Sequence, residues 1–104
     1  MSKVFVAYYK REWGQEIPDP LNEHEFLFYF CHVKSMIADN LDEVYYNMQG
    51  DIWSPNGEQR EYIKALGLQH TSMSVGDVIY SAAEHKYFMV DTFGFKEISL
   101  TKLE

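Results

Sequence analysis

Cysteine is almost absent from this chain of 104 residues. Cys31 is the single one, so an intramolecular disulfide is excluded. A chain without disulfides is typical of reducing compartments, and the first residues do not show the basic and then apolar pattern of a secretory signal. No apolar run approaches the roughly 18 residues that a membrane helix needs. These absences predict a soluble, cytoplasmic protein without a membrane span.

Cations are also scarce, with nine Lys and Arg against sixteen Asp and Glu and a net charge of −7. Nucleic-acid binding depends on cations that displace counterions from phosphates, so no direct nucleic-acid partner is expected. The acids concentrate in residues 11–25, with five acids and one base, and in residues 39–61, with six acids and one base. They form either a solubilising surface or an interaction face for a basic partner. The candidate face consists of Glu12, Glu16, Asp19, Glu23, Asp39, Asp42 and Glu43.

The sequence shows no recognisable catalytic set. It contains no nucleophile placed beside a base, no glycine-rich phosphate cradle and no set of metal ligands. The four histidines are scattered without a partner at metal-ligand spacing. We therefore expect no metal, no cofactor and no enzymatic activity.

The apolar residues that are present suffice for a single domain over residues 1–104, since 46% of the chain is hydrophobic and 16% is aromatic. Residues 3–9 are β-branched and aromatic and predict a first strand. Residues 10–24 contain prolines and glycine and predict an irregular excursion. Residues 25–36 predict a long second strand, antiparallel to the first. Its run at residues 26–30 has no polar face, which favours a central position in the sheet or one under a helix.

Two helices are predicted in the middle of the chain. Asn40 followed by Glu43 has the spacing of a helix N-cap and its reciprocal acid, so a helix should begin there and close at Gly50. A second helix is predicted over residues 58–66, with Gly67 as a left-handed cap.

The last third of the chain predicts three strands, over residues 77–82, 86–91 and 95–100. A hairpin at residues 83–85 and a corner at residues 92–94 connect them. The element order is strand, strand, helix, helix and three strands. We predict an α+β domain with a mostly antiparallel sheet of about five strands and two helices on one face.

A polar turn at residues 70–77 is the most site-like segment. His70, Ser72, Ser74 and Asp77 bring an imidazole, two hydroxyls and a carboxylate within eight residues. One interpretation is structural, with these side chains satisfying backbone groups of the turn. The other is a binding site for a small ligand or nucleotide. Catalytic triads are assembled from distant positions and need an oxyanion site, which favours the structural interpretation.

Two blocks of this region carry a family resemblance. Residues 70–79 read HTSMSVGDVI and residues 87–98 read YFMVDTFGFKEI. This pattern is similar to the YodL-like proteins, small proteins of bacterial chromosomes, plasmids and phages, with looser similarity over residues 39–47. The resemblance implies association with mobile elements and regulatory interactions, and it supplies no catalytic residues.

These observations predict a non-enzymatic acidic interaction protein, encoded by a phage or plasmid, that binds and modulates a host protein. The alternative is a small-ligand or nucleotide-binding domain, or a modest enzyme, that uses the turn at residues 70–77. Homo-oligomerisation is a third hypothesis, because an edge position for the second strand would leave some large rings exposed. The rings in question are Tyr8, Tyr9, Trp13, Phe28 and Phe30.

Overall fold

The structure, a computed structural model, describes residues 2–18 and 20–101. The domain has the predicted α+β fold, with a five-stranded antiparallel sheet and short helices. No helix in these described ranges is long and apolar enough to cross a membrane. In chain order the elements are β1 (Lys3–Lys10), β2 (Leu21–Asn22), α1 (Phe26–Tyr29), β3 (Phe30–Ala38), α2 (Leu41–Asn47), α3 (Gly50–Trp53), α4 (Arg60–Ala65), β4 (Val78–Ser81), β5 (Lys86–Asp91), β6 (Gly94–Ile98) and β7 (Leu100–Thr101).

The sheet has the strand order β3, β1, β4, β5, β6, so β1 lies between the strands before and after the helical segment. In the register, Ala7 of β1 pairs with Lys34 of β3 and with Ile79 of β4. The short strands β2 and β7 form a separate parallel pair. The C-terminal meander therefore completes the sheet that the N-terminal strands begin, which requires pairing across most of the chain.

One face of the sheet carries the larger hydrophobic core. Phe5, Ala7 and Tyr9 alternate along β1 and are buried there, as strand geometry requires for side chains on one face. Val44 of α2 and Ile63 of α4 belong to the same core. The two predicted helices thus cover one face of the sheet, and burial of these apolar side chains is the main source of stability.

The opposite face carries a second, smaller core. Val78 and the half-buried Tyr8 belong to it, together with Phe26, Phe30 and Leu21. Phe26 lies edge-on to Tyr8, with ring centroids 4.9 Å apart and planes at 84°. Helix α1 and the strand pair of β2 and β7 therefore cover part of the face that the α2 and α4 helices leave open.

The prediction of one long strand over residues 25–36 was wrong at its start. Residues 26–29 form a helical turn, and β3 begins at Phe30. The turn brings Phe26 and Phe30 onto the same side, where their rings stack with centroids 4.9 Å apart. Leu27 and Phe28 occupy the exposed side of this turn. The run has no polar face because its solvent-facing residues are apolar as well. Strand β3 is an edge strand, so the central position, one of the two predicted for this run, is wrong.

The helix-capping predictions were largely confirmed. The Asn40 side chain accepts a hydrogen bond from the Glu43 amide at 2.9 Å and caps α2. Gly67 has φ +78° and its amide donates to the Lys64 carbonyl at 2.9 Å, as a left-handed cap does. Gly50 does not close α2 but begins α3, so the helical segment contains an extra short helix.

Four strand boundaries of the last third shift by one or two residues. Strand β4 covers residues 78–81 rather than 77–82, β5 has the predicted bounds, and β6 covers residues 94–98 rather than 95–100. Gly94 pairs with Asp91, so the predicted corner is a hairpin whose connection is Thr92 and Phe93. Phe93 is 97% exposed at the tip of this hairpin.

Candidate functional site

Asp77 is the centre of the polar turn and is only 1% exposed. Its Oδ1 accepts a hydrogen bond from the Lys10 amide at 2.7 Å. Its Oδ2 accepts one from the Ser74 amide at 2.8 Å and lies 3.0 Å from Nε2 of His70. Burial of a carboxylate is costly unless hydrogen bonds replace water, and three donors do so here. Asp77 therefore joins the end of β1 to the turn that precedes β4.

His70 is held between aromatic rings. Its imidazole stacks on Tyr9 with centroids 4.6 Å apart and planes at 14°, and Trp13 lies at 4.9 Å and 59°. With Nε2 directed at Asp77, the remaining nitrogen Nδ1 is buried and has no hydrogen-bond partner among the described residues. A general base must reach the proton that it abstracts. The geometry does not present this nitrogen to a substrate.

The two serines of the turn hold backbone. Ser72 Oγ accepts a hydrogen bond from the Gly50 amide at 2.7 Å, at the start of α3. Ser74 Oγ donates to the Ser72 carbonyl at 3.2 Å. Neither hydroxyl bonds to His70. The structure brings His70 and Asp77 together within hydrogen-bond distance but does not add a serine nucleophile to them.

Further contacts tie the turn to the helical segment. The Tyr9 hydroxyl donates to the Thr71 carbonyl at 2.6 Å, and the indole Nε1 of Trp53 donates to the same carbonyl at 3.1 Å. The Met73 amide donates to the Met48 carbonyl at 3.1 Å. The polar turn therefore connects β1 to the end of α2 and to α3.

Gly76 allows the chain to turn sharply into β4. It has φ +97°, a conformation that residues with a side chain rarely adopt. Its amide donates to the Val90 carbonyl at 2.9 Å, and the Val90 amide donates to the Asp77 carbonyl at 2.8 Å. This turn positions the Asp77 carboxylate toward β1, where it accepts from the Lys10 amide.

One buried and two half-buried tyrosines predict loss of stability at alkaline pH. Burial raises the pKa of Tyr8, Tyr9 and Tyr87 above the ordinary value of 10.0, with smaller contributions from Tyr80 beside Tyr8 and Asp77 beside Tyr9. The unfolded chain ionises these phenols near their ordinary pKa, whereas the folded chain resists ionisation. The stabilisation is therefore complete below pH 10.0 and falls as pH rises through that value toward the raised pKa values.

We expect the melting temperature to fall steeply above about pH 10, measured by circular dichroism across the range from about pH 8 to 11. The Tyr9→Phe variant lacks one of the phenols that resist ionisation. Its melting temperature should therefore fall less from neutral to alkaline pH than that of the unmodified protein. An equally steep fall in that variant would show that Tyr9 does not contribute.

The candidate acids that the structure describes lie at separate positions rather than in one cluster. Asp39 lies beside Lys3 at the start of β1, whereas Glu12 follows the end of that strand. Seven residue steps of β1 separate these ends by roughly 23 Å. Glu16 follows in the same irregular segment as Glu12, and Asp19 lies outside the described residues.

The other three candidate acids lie after β2 and at the start of α2. Glu23 follows β2 and is near enough to Tyr87 to contribute to raising its pKa. Asp42 and Glu43 lie in the first turn of α2, with Asp42 exposed and Glu43 half-buried. The predicted face therefore divides into separate acidic regions, of which the one around α2 borders a groove.

This acidic groove, of about 270 Å³, is formed by β1, the start of α2 and the strands β5 and β6. Apolar side chains line it, with Phe5 buried and the others half-buried. Three carboxylates and one ammonium group surround them. The apolar residues are Phe5, Leu41, Phe88 and Phe95, and the charged residues are Asp39, Asp42, Glu84 and Lys3.

Sequence reasoning missed Glu84 and the phenylalanines of the groove. They come from distant segments, since Phe5 and Phe88 are separated by most of the chain, and no local pattern marks them as one site. The register supplies the reason, because β1 pairs with β4 and β4 with β5, which brings Phe5 and Phe88 to the same face of the sheet.

The expectation about exposed rings is met at two positions. Trp13, in the irregular segment after β1, is 56% exposed and Phe28, in α1, is 74% exposed, while Tyr9 and Phe30 are fully buried. Tyr8 is half-buried in the second core. The exposed rings provide apolar surface that a second copy of the chain could contact, but they do not identify what binds there. Self-association therefore stays a prediction.

Comparison with protein-family models, with curated proteins and with solved structures finds no match. The resemblance to the YodL-like proteins stays a prediction from the two sequence blocks. Among the described residues, no group of three or more His, Cys, Asp or Glu side chains is placed to hold a metal ion. The site must therefore be interpreted from its own geometry.

Proposed function

We propose that this protein is a non-enzymatic interaction protein that binds a basic partner protein through its acidic surface. The observation that carries the proposal is the acidic groove, in which exposed carboxylates surround apolar side chains. An interface needs both features, since apolar contact supplies affinity and charge complementarity directs the partner. The polar turn, in contrast, uses His70 and Asp77 for contacts within the domain.

The charge of the whole molecule supports a basic partner. A net charge of −7 on 104 residues produces a negative potential that attracts cations and accelerates their association. Exposed charges are screened within about 8 Å at physiological salt, so the attraction acts mainly near the acidic regions. Because the resemblance to the YodL-like proteins implies mobile elements, we propose a host protein as the partner and modulation of that protein as the outcome.

Affinity capture from a bacterial lysate tests this proposal. The tagged protein should retain one basic protein in near-equal amount, and raising the salt to about 0.5 M should release it. A variant with four neutralised acids should retain roughly tenfold less, because exposed ion pairs contribute about 0.2–1 kcal/mol each. The four changes are Glu12→Gln, Glu16→Gln, Asp39→Asn and Asp42→Asn.

The matched control keeps the negative charges at the same positions. Its changes are Glu12→Asp, Glu16→Asp, Asp39→Glu and Asp42→Glu, and it should retain the partner as the unmodified protein does. Capture that is equal in all three proteins would contradict an acidic binding surface. Repeated capture without a specific basic protein would contradict the proposed function itself.

The alternative function, a small-ligand site at residues 70–77, has one observation in its favour. His70 Nδ1 is a buried polar atom without a partner among the described residues. The imidazole is enclosed, with the Tyr9 ring stacked on it and the Trp13 ring 4.9 Å away. The groove instead has exposed carboxylates at its border, and for that reason we prefer the interaction function.

A further inference from the structure

We propose that the acidic groove binds an arginine side chain carried by a basic peptide segment of the partner. This inference rests on the proposed function and assigns it a specific residue type and position. The groove combines an aromatic lining with a negatively charged border, and each part recognises a different portion of an arginine side chain.

The lining offers ring surface to a flat cation. Phe88 and Phe95 are half-buried, so each ring keeps part of its surface accessible to a bound side chain. Tyr45 lies nearly perpendicular to Phe95, with centroids 6.4 Å apart and planes at 75°. A guanidinium group packs against ring faces, and its aliphatic stem contacts apolar surface such as Leu41.

The border supplies the opposite charge. Asp39, Asp42 and Glu84 are exposed around the groove, against the single ammonium of Lys3. The nearby Lys86 is paired with Glu97 at 3.5 Å, so those two charges offset each other. The border therefore keeps a negative excess that a cationic side chain can neutralise.

Two segments of the border are held by hydrogen bonds. The Asn40 side chain caps α2 by accepting from the Glu43 amide, which positions the neighbouring Asp39 and Asp42. The hydroxyl of Ser81, a residue only 1% exposed, accepts a hydrogen bond from the Glu84 amide at 3.3 Å. Binding sites that are already ordered lose less conformational entropy when a partner binds.

The size of the groove favours a side chain over a whole ligand. Its volume of about 270 Å³ lies below the range of about 300–1,000 Å³ that is typical of small-molecule sites. Arginine is favoured over lysine because its planar guanidinium stacks on aromatic rings and bonds a carboxylate through two parallel donors. A peptide segment also provides neighbouring residues that contact the exposed border.

A titration followed by amide NMR spectra tests the inference. The probe is the peptide Gly-Ser-Leu-Arg-Leu-Arg-Ser-Gly, added to the 104-residue chain at about 0.1 M salt, where exposed charges still act over about 10 Å. We expect chemical-shift changes centred on residues 39–42, 84, 88 and 95. The same peptide with lysine in place of arginine should bind more weakly.

The double variant Asp42→Asn, Glu84→Gln should weaken peptide binding about fivefold, since two border charges are lost. The matched control, Asp51→Asn with Glu61→Gln, loses the same charge at exposed positions of α3 and α4 that do not line the groove, and should change the affinity less than about twofold. Dispersed amide spectra of both variants verify that they are folded. Equal weakening in both variants would overturn the groove as the binding site.

Three other results would also overturn the inference. Shift changes located away from the groove would assign the peptide to a different surface. Equal binding of the lysine peptide would remove the preference for arginine, and equal binding of free arginine amide at the same residues would identify a small-cation site. If acid-dependent capture of a basic host protein succeeds while the peptide does not bind, only the groove assignment fails. If both experiments fail, the proposed function fails with it.

Discussion

Replacing Asp77 by alanine is expected to lower the free energy of unfolding by about 3–5 kcal/mol, since hydrogen bonds to a charged group contribute about 1.5–3 kcal/mol each. The buried carboxylate accepts from the amides of Lys10 and Ser74 and contacts His70. Without it, donors in a largely buried turn lose their acceptor. Urea denaturation followed by tryptophan fluorescence measures this loss.

Ser74→Ala is the matched control, because it keeps the Ser74 amide that bonds to Asp77 and removes only the hydroxyl bonded to Ser72. It should cost about 1 kcal/mol or less. A small cost for Asp77→Ala, similar to that of the control, would contradict the structural role of the carboxylate.

The same variants separate the two functional interpretations of the polar turn. If the turn is structural, a folded Ser74→Ala or His70→Ala variant keeps its affinity for the arginine peptide and for the captured host protein. Loss of binding in a variant whose amide spectrum remains folded would instead support a site at residues 70–77.

Replacing Tyr9 by alanine is expected to cost about 3–5 kcal/mol, the usual range for removing a large buried aromatic side chain. Tyr9 is fully buried, stacks on His70 and donates to the Thr71 carbonyl. Its removal opens a cavity between β1 and the polar turn. Thermal and urea unfolding of the purified variant measure the change.

Tyr9→Phe keeps the ring and removes the hydroxyl, so it should cost only about 1 kcal/mol. The Thr71 carbonyl retains the hydrogen bond from Trp53 in this variant, which limits the loss. An equal cost for the two Tyr9 variants would show that the hydroxyl, rather than the packing of the ring, stabilises the junction.

Local patterns in the sequence predicted the features that depend on neighbouring residues. The Asn40 cap and the left-handed Gly67 follow from hydrogen bonds formed within a few residues, and both are present. The meander at the C-terminal end was predicted for the same reason, because strand propensity and turn residues alternate over short distances. The α+β class followed from the order of these elements.

Residues 26–30 show where local patterns fail. A run of apolar and aromatic residues is compatible with a strand and with a helical turn, since hydrophobicity alone does not distinguish them over so few residues. Packing of Phe26 and Phe30 against Tyr8 and Val78 in the second core selects the helical turn. The edge position of β3 is likewise a property of the whole sheet, in which β1 pairs with β4 on its other side.

For the candidate sites, too, the sequence showed only the features that depend on neighbouring residues or on composition. The sequence identified the polar turn, because His70, Ser72, Ser74 and Asp77 are close together in the chain, but it did not show that Tyr9 and Trp13 enclose the imidazole. Composition identified the acid excess without showing that the acids lie in separate regions.

By itself, the sequence determined the charge of this chain, its α+β class, the capped helix and most of the extent of the strands in its last third. Composition and short-range hydrogen bonding are properties of neighbouring residues and are visible in the chain. Only the tertiary structure decided that Asp77 bonds to β1, that β3 is an edge and that Phe5, Asp42, Glu84 and Phe95 border one groove. These features depend on strand pairing and core packing between distant segments. A pattern of neighbouring residues does not show which distant segments pair or pack together.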